Sequence, residues 1–206
     1  MKLKVSGSYR RYLVVPGACE RSPDPLERGL EKAIFEKRFR SIDRAASEIR
    51  SFGWSDTDGL LPAKFEELDL WVGAVLRLGL RVDTKRIPAG AFRVRRLELE
   101  ARERREVGER IPPDRRREMR ETLESELLTQ TIPSTAVYQM LWDTRSGQVL
   151  LSTTADAPNG AFVSLFRDTF GRALLPVTPG SLAMTLAREL RRKQALDALM
   201  PVTFTG

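Results

Sequence analysis

Histidine is absent from the 206-residue chain, and Cys19 is its single cysteine. The lack of histidine excludes Ser-His-Asp and Cys-His catalysis, histidine general-base chemistry and most zinc sites. One cysteine cannot form an internal disulfide, which fits a reducing compartment. Because the sequence offers Cys19 no base partner, we expect an inert thiol. An enzyme built from this chain would depend on carboxylates, lysine, arginine, serine or tyrosine.

Long apolar runs are also missing. No stretch approaches the roughly 18 apolar residues of a membrane span. The first residues, MKLKVSGSYRRYLVV, carry arginines where a signal peptide needs its apolar run. The chain nevertheless has 41% hydrophobic residues, enough to build a core. We expect a cytoplasmic protein with no membrane partner.

Positive charge is what the sequence has in excess. The formal net charge is +7 and the calculated pI is about 10.0. The segment from Lys85 to Arg120 holds thirteen of the 35 basic residues but only seven of the 28 acidic ones. A local field of this kind attracts polyanions, and DNA or RNA is the commonest polyanion. The composition therefore favours a nucleic-acid partner and calls for no cofactor.

The first 84 residues show a mixed pattern. Residues Lys2 to Val15 predict a strand, and Asp24-Pro25 is typical of a helix start. A second short helix is predicted from Ile42 to Ile49. From Leu68 to Val82 every even position is apolar, which predicts a long strand with one buried face. Because fifteen residues is long for one strand, we expect a bulge or bend at Gly73 or Gly79.

Two charged helices follow. The first is predicted from Pro88 to about Val107, with an inward stripe of Val94, Leu97 and Ala101 and a C-cap at Gly108. The second restarts at Pro112-Pro113-Asp114, ends before Pro133, and directs Met119, Leu123 and Leu127 inward. Three glutamate–arginine pairs at i,i+4 spacing are predicted on these helices: Glu98 with Arg102, Glu100 with Arg104, and Glu106 with Arg110.

The last third predicts two strands, a helix, a strand and a helix. These are Ala136 to Trp142, Gln148 to Thr153, Asn159 to Phe170, Leu174 to Val177, and Ser181 to about Leu199. The expected fold class is α+β, with antiparallel sheets and charged helices. Three parts are predicted: an N-terminal α/β part over 1–84, a basic helical segment over 85–132, and a ββαβα part packed on it over 133–206.

An ordered series of motifs runs from Ile87 to Pro179. The series begins with a proline-led charged helix, a glycine-containing basic turn and a second charged helix with a Leu-Leu end. It continues with a Trp-Asp strand, a glycine hairpin and a Leu-Pro-Val-Thr-Pro strand. The positions are Pro88, Gly108, Leu127, Leu128, Pro133, Trp142, Asp143, Gly147 and Leu175 to Pro179. This series resembles the central part of the recombination-associated protein RdgC family. The turn from Ser51 to Trp54 is similar to a serine-x-glycine-tryptophan element in the family's first third.

The resemblance implies an RdgC-like fold and a function. Family members bind DNA without sequence preference, are associated with recombination and with restraint of RecA, and form a ring-shaped dimer around duplex DNA. A homodimer that binds duplex rather than single-stranded DNA in the nucleoid is thus expected. Family members continue beyond the position of Leu199. If that part closes the ring, the expectation for this chain is an open clamp.

The candidate DNA-binding residues are arginines of the two charged helices, each able to meet a phosphate oxygen: Arg93, Arg95, Arg96, Arg104, Arg110, Arg115, Arg116, Arg117 and Arg120. The strongest candidates lack a glutamate four residues earlier, which leaves out Arg104 and Arg110. Contacts of this kind carry no base information, so the expected binding is non-specific and salt-sensitive. The opposing interpretation is a solvated charged surface whose members pair with one another.

Other interpretations remain open. The family has carried a "putative exonuclease" label, and Mg²⁺ would need clustered carboxylates, for which the candidates are Glu118, Glu121, Glu124 and Glu126, or Asp143 and Asp156. A third possibility is a protein-interaction module that pairs with an acidic partner. Trp142 and Tyr138 could stack on bases, although their alternation with Ala136 and Met140 favours core packing. Trp54 and Trp71 are likewise interpreted as core or interface anchors.

Overall fold

The computed structural model describes residues 7–15, 29–42, 48–59, 70–108 and 110–189. The strands are β1 (Arg10–Val15), β2 (Arg50–Ser55), β3 (Trp71–Val72), β4 (Val75–Thr84), β5 (Ser134–Asp143), β6 (Gln148–Leu151) and β7 (Ala173–Pro176). The helices are α1 (Leu30–Glu36), α2 (Ala89–Val107), α3 (Pro113–Gln130), α4 (Asp156–Phe170) and α5 (Pro179–Glu189).

The chain divides into two compact units, each assembled from separated segments. Unit 1 comprises Met1–Leu30, Asp69–Arg77 and Gln139–Gly206, and unit 2 comprises Glu31–Leu68 and Leu78–Tyr138. Strands β4 and β5 contribute residues to both. The registered strand pairs are antiparallel, and an isolated bridge between Arg38 and Trp54 is parallel. The predicted mixture of helices with an antiparallel sheet is confirmed.

In unit 1, β1 lies between β6 and β7, and β6 pairs with β5. Phe162, Phe166 and Phe170 recur every four residues on α4, so they lie on one face of the helix. The rings of Phe166 and Phe170 meet the Trp142 ring edge-on, with centroids 5.1 and 5.2 Å away. Trp142 is only 1% exposed, which confirms the core interpretation of this residue.

In unit 2, β4 lies between β2 and β5. Leu78, Leu80 and Val82 alternate along β4 and are buried, as the period-two pattern predicts, and Trp54 of β2 pairs with Leu80. Gly79 lies against the backbone carbonyl of Asp56, where a Cβ would not fit. The glycine in this strand therefore marks a close backbone approach.

The prediction of one strand from Leu68 to Val82 is wrong in its first half. Gly73 has φ 60°, and it turns the chain back so that Val72 of β3 pairs with Val75 of β4. Glycine adopts a left-handed backbone conformation at little energetic cost, so this position forms a hairpin turn rather than the expected bulge. Leu68 lies outside the described residues.

Several other predictions extend beyond the described residues. These include positions 2–6 of the first strand, the helix start at Asp24-Pro25, Cys19, and positions 190–199 of the last helix. Ile42, Glu48 and Ile49 are not helical, so the predicted helix fails at both ends, while residues 43–47 lie outside the described part.

The elements from Pro88 onward agree with the sequence within a few residues. Helices α2 and α3, the β5–β6 hairpin, α4 and β7 all form where the pattern predicts them. Among the residues that the structure describes, no helix is long and apolar enough to cross a membrane.

Candidate nucleic-acid interface

Prolines and a glycine set the bounds of the two charged helices. α2 begins after Pro88, whose φ of −60° suits helix entry, and α3 has Pro113 at its start. α2 ends at Gly108, which has φ 105° and donates its backbone N–H to the carbonyl of Arg104 at 3.1 Å. Ile111, in the connection, is 2% exposed. The two helices form an α-hairpin within unit 2.

The inner face of α2 differs from the predicted stripe. Phe92, Leu99 and Glu103 are partly buried, whereas Val94 and Leu97 are 55% and 52% exposed, and Ala101 is exposed too. The prediction of an inward Val94, Leu97 and Ala101 stripe is therefore wrong. A search for apolar periodicity misses the inner face because two of the partly buried positions of α2, Glu100 and Glu103, are glutamates. On α3, Leu123 is buried and both Met119 and Leu127 are partly buried, as predicted.

Glu103 reaches the inner face because it is paired across the hairpin. Its carboxylate receives Arg115 Nε at 2.7 Å and Arg115 Nη2 at 3.5 Å. The hydrogen bond from Arg115 holds the pKa of Glu103 below its usual value, and the same bond raises the pKa of Arg115. A bidentate pair of this geometry fixes the register of the two helices.

The hairpin as a whole is almost neutral. α2 and α3 together carry ten arginines and nine carboxylates, because Glu121, Glu124 and Glu126 follow directly after the basic segment. Net charge alone therefore does not identify an interface here. The charges are, however, distributed unevenly around the helices.

One side of the hairpin is basic. A cavity of about 340 Å³ on this side is lined by Ala89 and Phe92 of α2 and by Arg120, Glu124 and Leu128 of α3. Rows of four- or seven-residue spacing through these positions place six arginines on this side: Arg93, Arg96, Arg104, Arg116, Arg117 and Arg120. The carboxylates that share it are those of Glu100, Glu121 and Glu124.

The other side is acidic. A second cavity, of about 500 Å³, is lined by Arg102, Arg115, Glu103, Glu106, Glu118 and Glu126, among others. Helical spacing adds Arg95, Arg105 and Glu98 to it. Four arginines here face five glutamates, whereas the basic side has six arginines and three glutamates. The basic side therefore attracts a phosphate backbone more strongly than the acidic side does.

Many of the candidate arginines are already paired. Arg95 contacts Glu98 at 3.1 Å, Arg102 contacts Glu106 at 3.2 Å, and Arg117 contacts Glu121 at 2.9 Å. Glu100 lies between Arg96 at 3.6 Å and Arg104 at 3.7 Å. The predicted Glu100–Arg104 pair is confirmed, whereas Arg102 contacts Glu106 instead of the predicted Glu98.

A glutamate four residues earlier predicts the pairing of Arg104 but misses the pairs that other arginines form with later glutamates. The structure pairs Arg95, Arg96, Arg115 and Arg117 with carboxylates three or four residues later, and Arg115 also across the hairpin. Within the described part of the chain, no carboxylate lies within 4.0 Å of Arg93, Arg116 or Arg120. These exposed residues of the basic side have guanidinium groups available for a ligand.

Two further basic residues lie outside the exposed surfaces of the two sides. Arg110 is exposed in the connection between the helices. Lys85, which sequence reasoning did not select, lines the cavity on the basic side and is only 1% exposed. The sequence analysis also did not assign Phe92 to the inner face of α2. Phe92 lies seven residues before Leu99, and this helical spacing is the signal that could have placed both on one face.

The carboxylates proposed for an exonuclease are dispersed. Glu118 and Glu126 line one cavity but stand two helical turns apart, and Glu124 lines the other cavity. Asp143 accepts hydrogen bonds from Ser146 Oγ and the Arg145 backbone N–H, which lower its pKa. Asp156 pairs with Arg10 at 3.0 Å. Among the described residues, no group of three or more candidate ligands could hold a metal ion.

Neither the protein-family models nor the curated proteins compared with this chain give a match. The likeness to the RdgC family therefore depends on the order of motifs in the sequence. The function must be argued from the geometry of the hairpin.

Proposed function

We propose that this chain is a sequence-independent DNA-binding protein of the RdgC type, and that the α2–α3 hairpin is its DNA-binding element. The observation that carries the proposal is the separation of charge: six arginines lie on one side of the hairpin, and five of its eight glutamates lie on the other. A helix surface in which the charges only paired with one another would not need this separation.

The chemistry of the basic side suits a phosphate backbone. Guanidinium groups bind phosphate oxygens bidentately, and Arg93, Arg116 and Arg120 are exposed on the helix surface. Arg96 and Arg104 share Glu100, so they add positive charge with less freedom to reorient. Phosphate contacts do not distinguish bases, so binding without sequence preference follows.

The biological setting comes from the resemblance. It supports a cytoplasmic, nucleoid-associated homodimer that acts in DNA recombination and restrains RecA filaments, with duplex DNA as the first partner to test. The exposed Val94 and Leu97 on α2 offer an apolar surface that a second copy could cover.

The test is fluorescence anisotropy of labelled random-sequence DNA at several salt concentrations. We expect binding of unrelated sequences with equal affinity, and an affinity that falls linearly with salt on a log–log plot. Absence of binding at low salt would overturn the proposal. Loss of labelled ends on adding Mg²⁺, abolished by Glu118→Ala or Asp143→Ala, would instead support the exonuclease.

A second candidate is a module that binds an acidic protein partner. This candidate is favoured by the exposed apolar residues Val94 and Leu97 and by Arg93, which immediately precedes Val94. Such a module would bind an acidic amphipathic helix through both its apolar and its charged residues. It predicts no affinity for DNA, so the anisotropy experiment separates the two.

A further inference from the structure

The cavity on the basic side of the hairpin is the feature that phosphate binding leaves unexplained. It has a volume of about 340 Å³ and an apolar wall formed by Ile49, Ile87, Phe92 and Leu128. Ala89, in the first turn of α2, lies at its lining and is exposed. A partly buried aromatic ring among aliphatic side chains is a surface on which a flat aromatic ligand stacks.

The polar residues of the cavity indicate what the ligand carries. Arg120 provides hydrogen-bond donors, and Glu124 provides an acceptor. A simple anion would be attracted by the guanidinium and repelled by the carboxylate. A nucleobase has both acceptors and donors on its edge, so it can use both groups.

We infer that this cavity receives one unstacked nucleobase from a single strand of DNA. The inference rests on the proposed function and deepens it, because the arginines around the cavity would hold the phosphates on either side of the inserted base. Arg93 lies one turn after Ala89, and Arg116 lies one turn before Arg120. A base in a continuous duplex cannot enter without unpairing, so the cavity would be filled at single strands, gaps and frayed ends, while the arginines alone would hold the phosphates of a duplex.

The experiment compares two oligomers that carry the same number of phosphates. One is a short thymidine oligonucleotide, and the other is an abasic deoxyribose-phosphate chain of equal length. We expect the abasic chain to bind roughly tenfold more weakly at one salt concentration, because it lacks the stacked base. Both oligomers should show the same salt slope, since their phosphate contacts are the same.

Two variants locate the effect. Ala89→Trp adds bulk at the cavity lining and should reduce the thymidine affinity to that of the abasic chain. Ala91→Trp is the matched control, because Ala91 is exposed on the same turn of α2 and does not line the cavity. We expect this control to keep the tenfold preference.

Three outcomes would overturn the inference in distinguishable ways. Equal binding of both oligomers by the unmodified protein would reject base capture and leave DNA binding intact. An equal loss of preference in both tryptophan variants would reject this cavity as the place of capture. Absence of binding to either oligomer would reject the proposed function and the inference together.

Discussion

At the scale of single residues, one buried hydrogen bond joins two residues that lie far apart in the sequence. Tyr12 Oη donates to Asn159 Oδ1 at 2.5 Å, and both residues are buried in unit 1. Asn159 Nδ2 donates in turn to the carbonyls of Ala155 and Thr153 at 2.7 and 3.0 Å. This network joins β1 to the first turn of α4 without any sequence signal, because its members are 147 positions apart.

We predict that Tyr12→Phe lowers the free energy of unfolding by about 1–2 kcal/mol. The substitution keeps the ring but leaves the buried Asn159 oxygen without the Tyr12 donor. Urea denaturation followed by circular dichroism measures the change. An unchanged free energy of unfolding would mean that this hydrogen bond does not stabilise the fold.

The Glu103–Arg115 pair makes a prediction about pH. The pKa of Glu103 is lowered in the folded protein from its ordinary 4.5, so its pairing stabilises the fold above that pH. The stabilisation is lost as the pH falls through the lower, folded-state pKa. We therefore expect Glu103→Gln to unfold at lower urea concentration than the unmodified protein near neutral pH, and the difference to shrink on acidification. A difference that does not change with pH would contradict this account.

At the scale of elements, most helices and strands follow from local pattern. Proline and glycine mark the ends of α2, and the four-residue phenylalanine spacing marks α4, so both could be predicted. The inner face of α2 could not be predicted, because Glu103 is partly buried there in a pair with Arg115, which lies twelve residues away in the sequence. The two sides of the hairpin likewise depend on how the helices meet, which periodicity within one helix does not reveal.

Gly53 of β2 lies where the strand closely approaches the backbone of Phe39. A Cβ at this position would lie 2.6 Å from backbone atoms of Phe39, so the backbones would have to separate. We predict that Gly53→Ala lowers the free energy of unfolding by roughly 2 kcal/mol. Gly90→Ala is the control, because a Cβ there meets nothing within 4 Å. Equal effects of the two substitutions in chemical denaturation would contradict the close approach.

At the scale of the whole molecule, the proposed homodimer requires an apolar surface that is buried between the two copies. Val94 and Leu97 are the exposed large apolar residues among the described side chains of α2, and a charge placed there would oppose burial. We predict that Leu97→Glu shifts the protein toward monomer in sedimentation equilibrium without loss of thermal stability beyond that due to dissociation. A dimer that persists unchanged would place the contact elsewhere, and a monomer at every concentration would reject the dimer.

The central claim is that exposed arginines of the basic side bind DNA phosphates, and the most direct test compares two triple variants of equal charge. One is Arg93→Gln/Arg116→Gln/Arg120→Gln, and the other is Arg95→Gln/Arg102→Gln/Arg117→Gln, whose arginines are paired with glutamates in the structure. The measurement is the log–log salt slope of binding to a random-sequence DNA. We predict that the first variant flattens the slope by roughly 2–3 and that the second stays near the unmodified value. Equal slopes in the two variants would contradict the claim, because net charge alone, and not the absence of a glutamate partner, would then decide DNA binding.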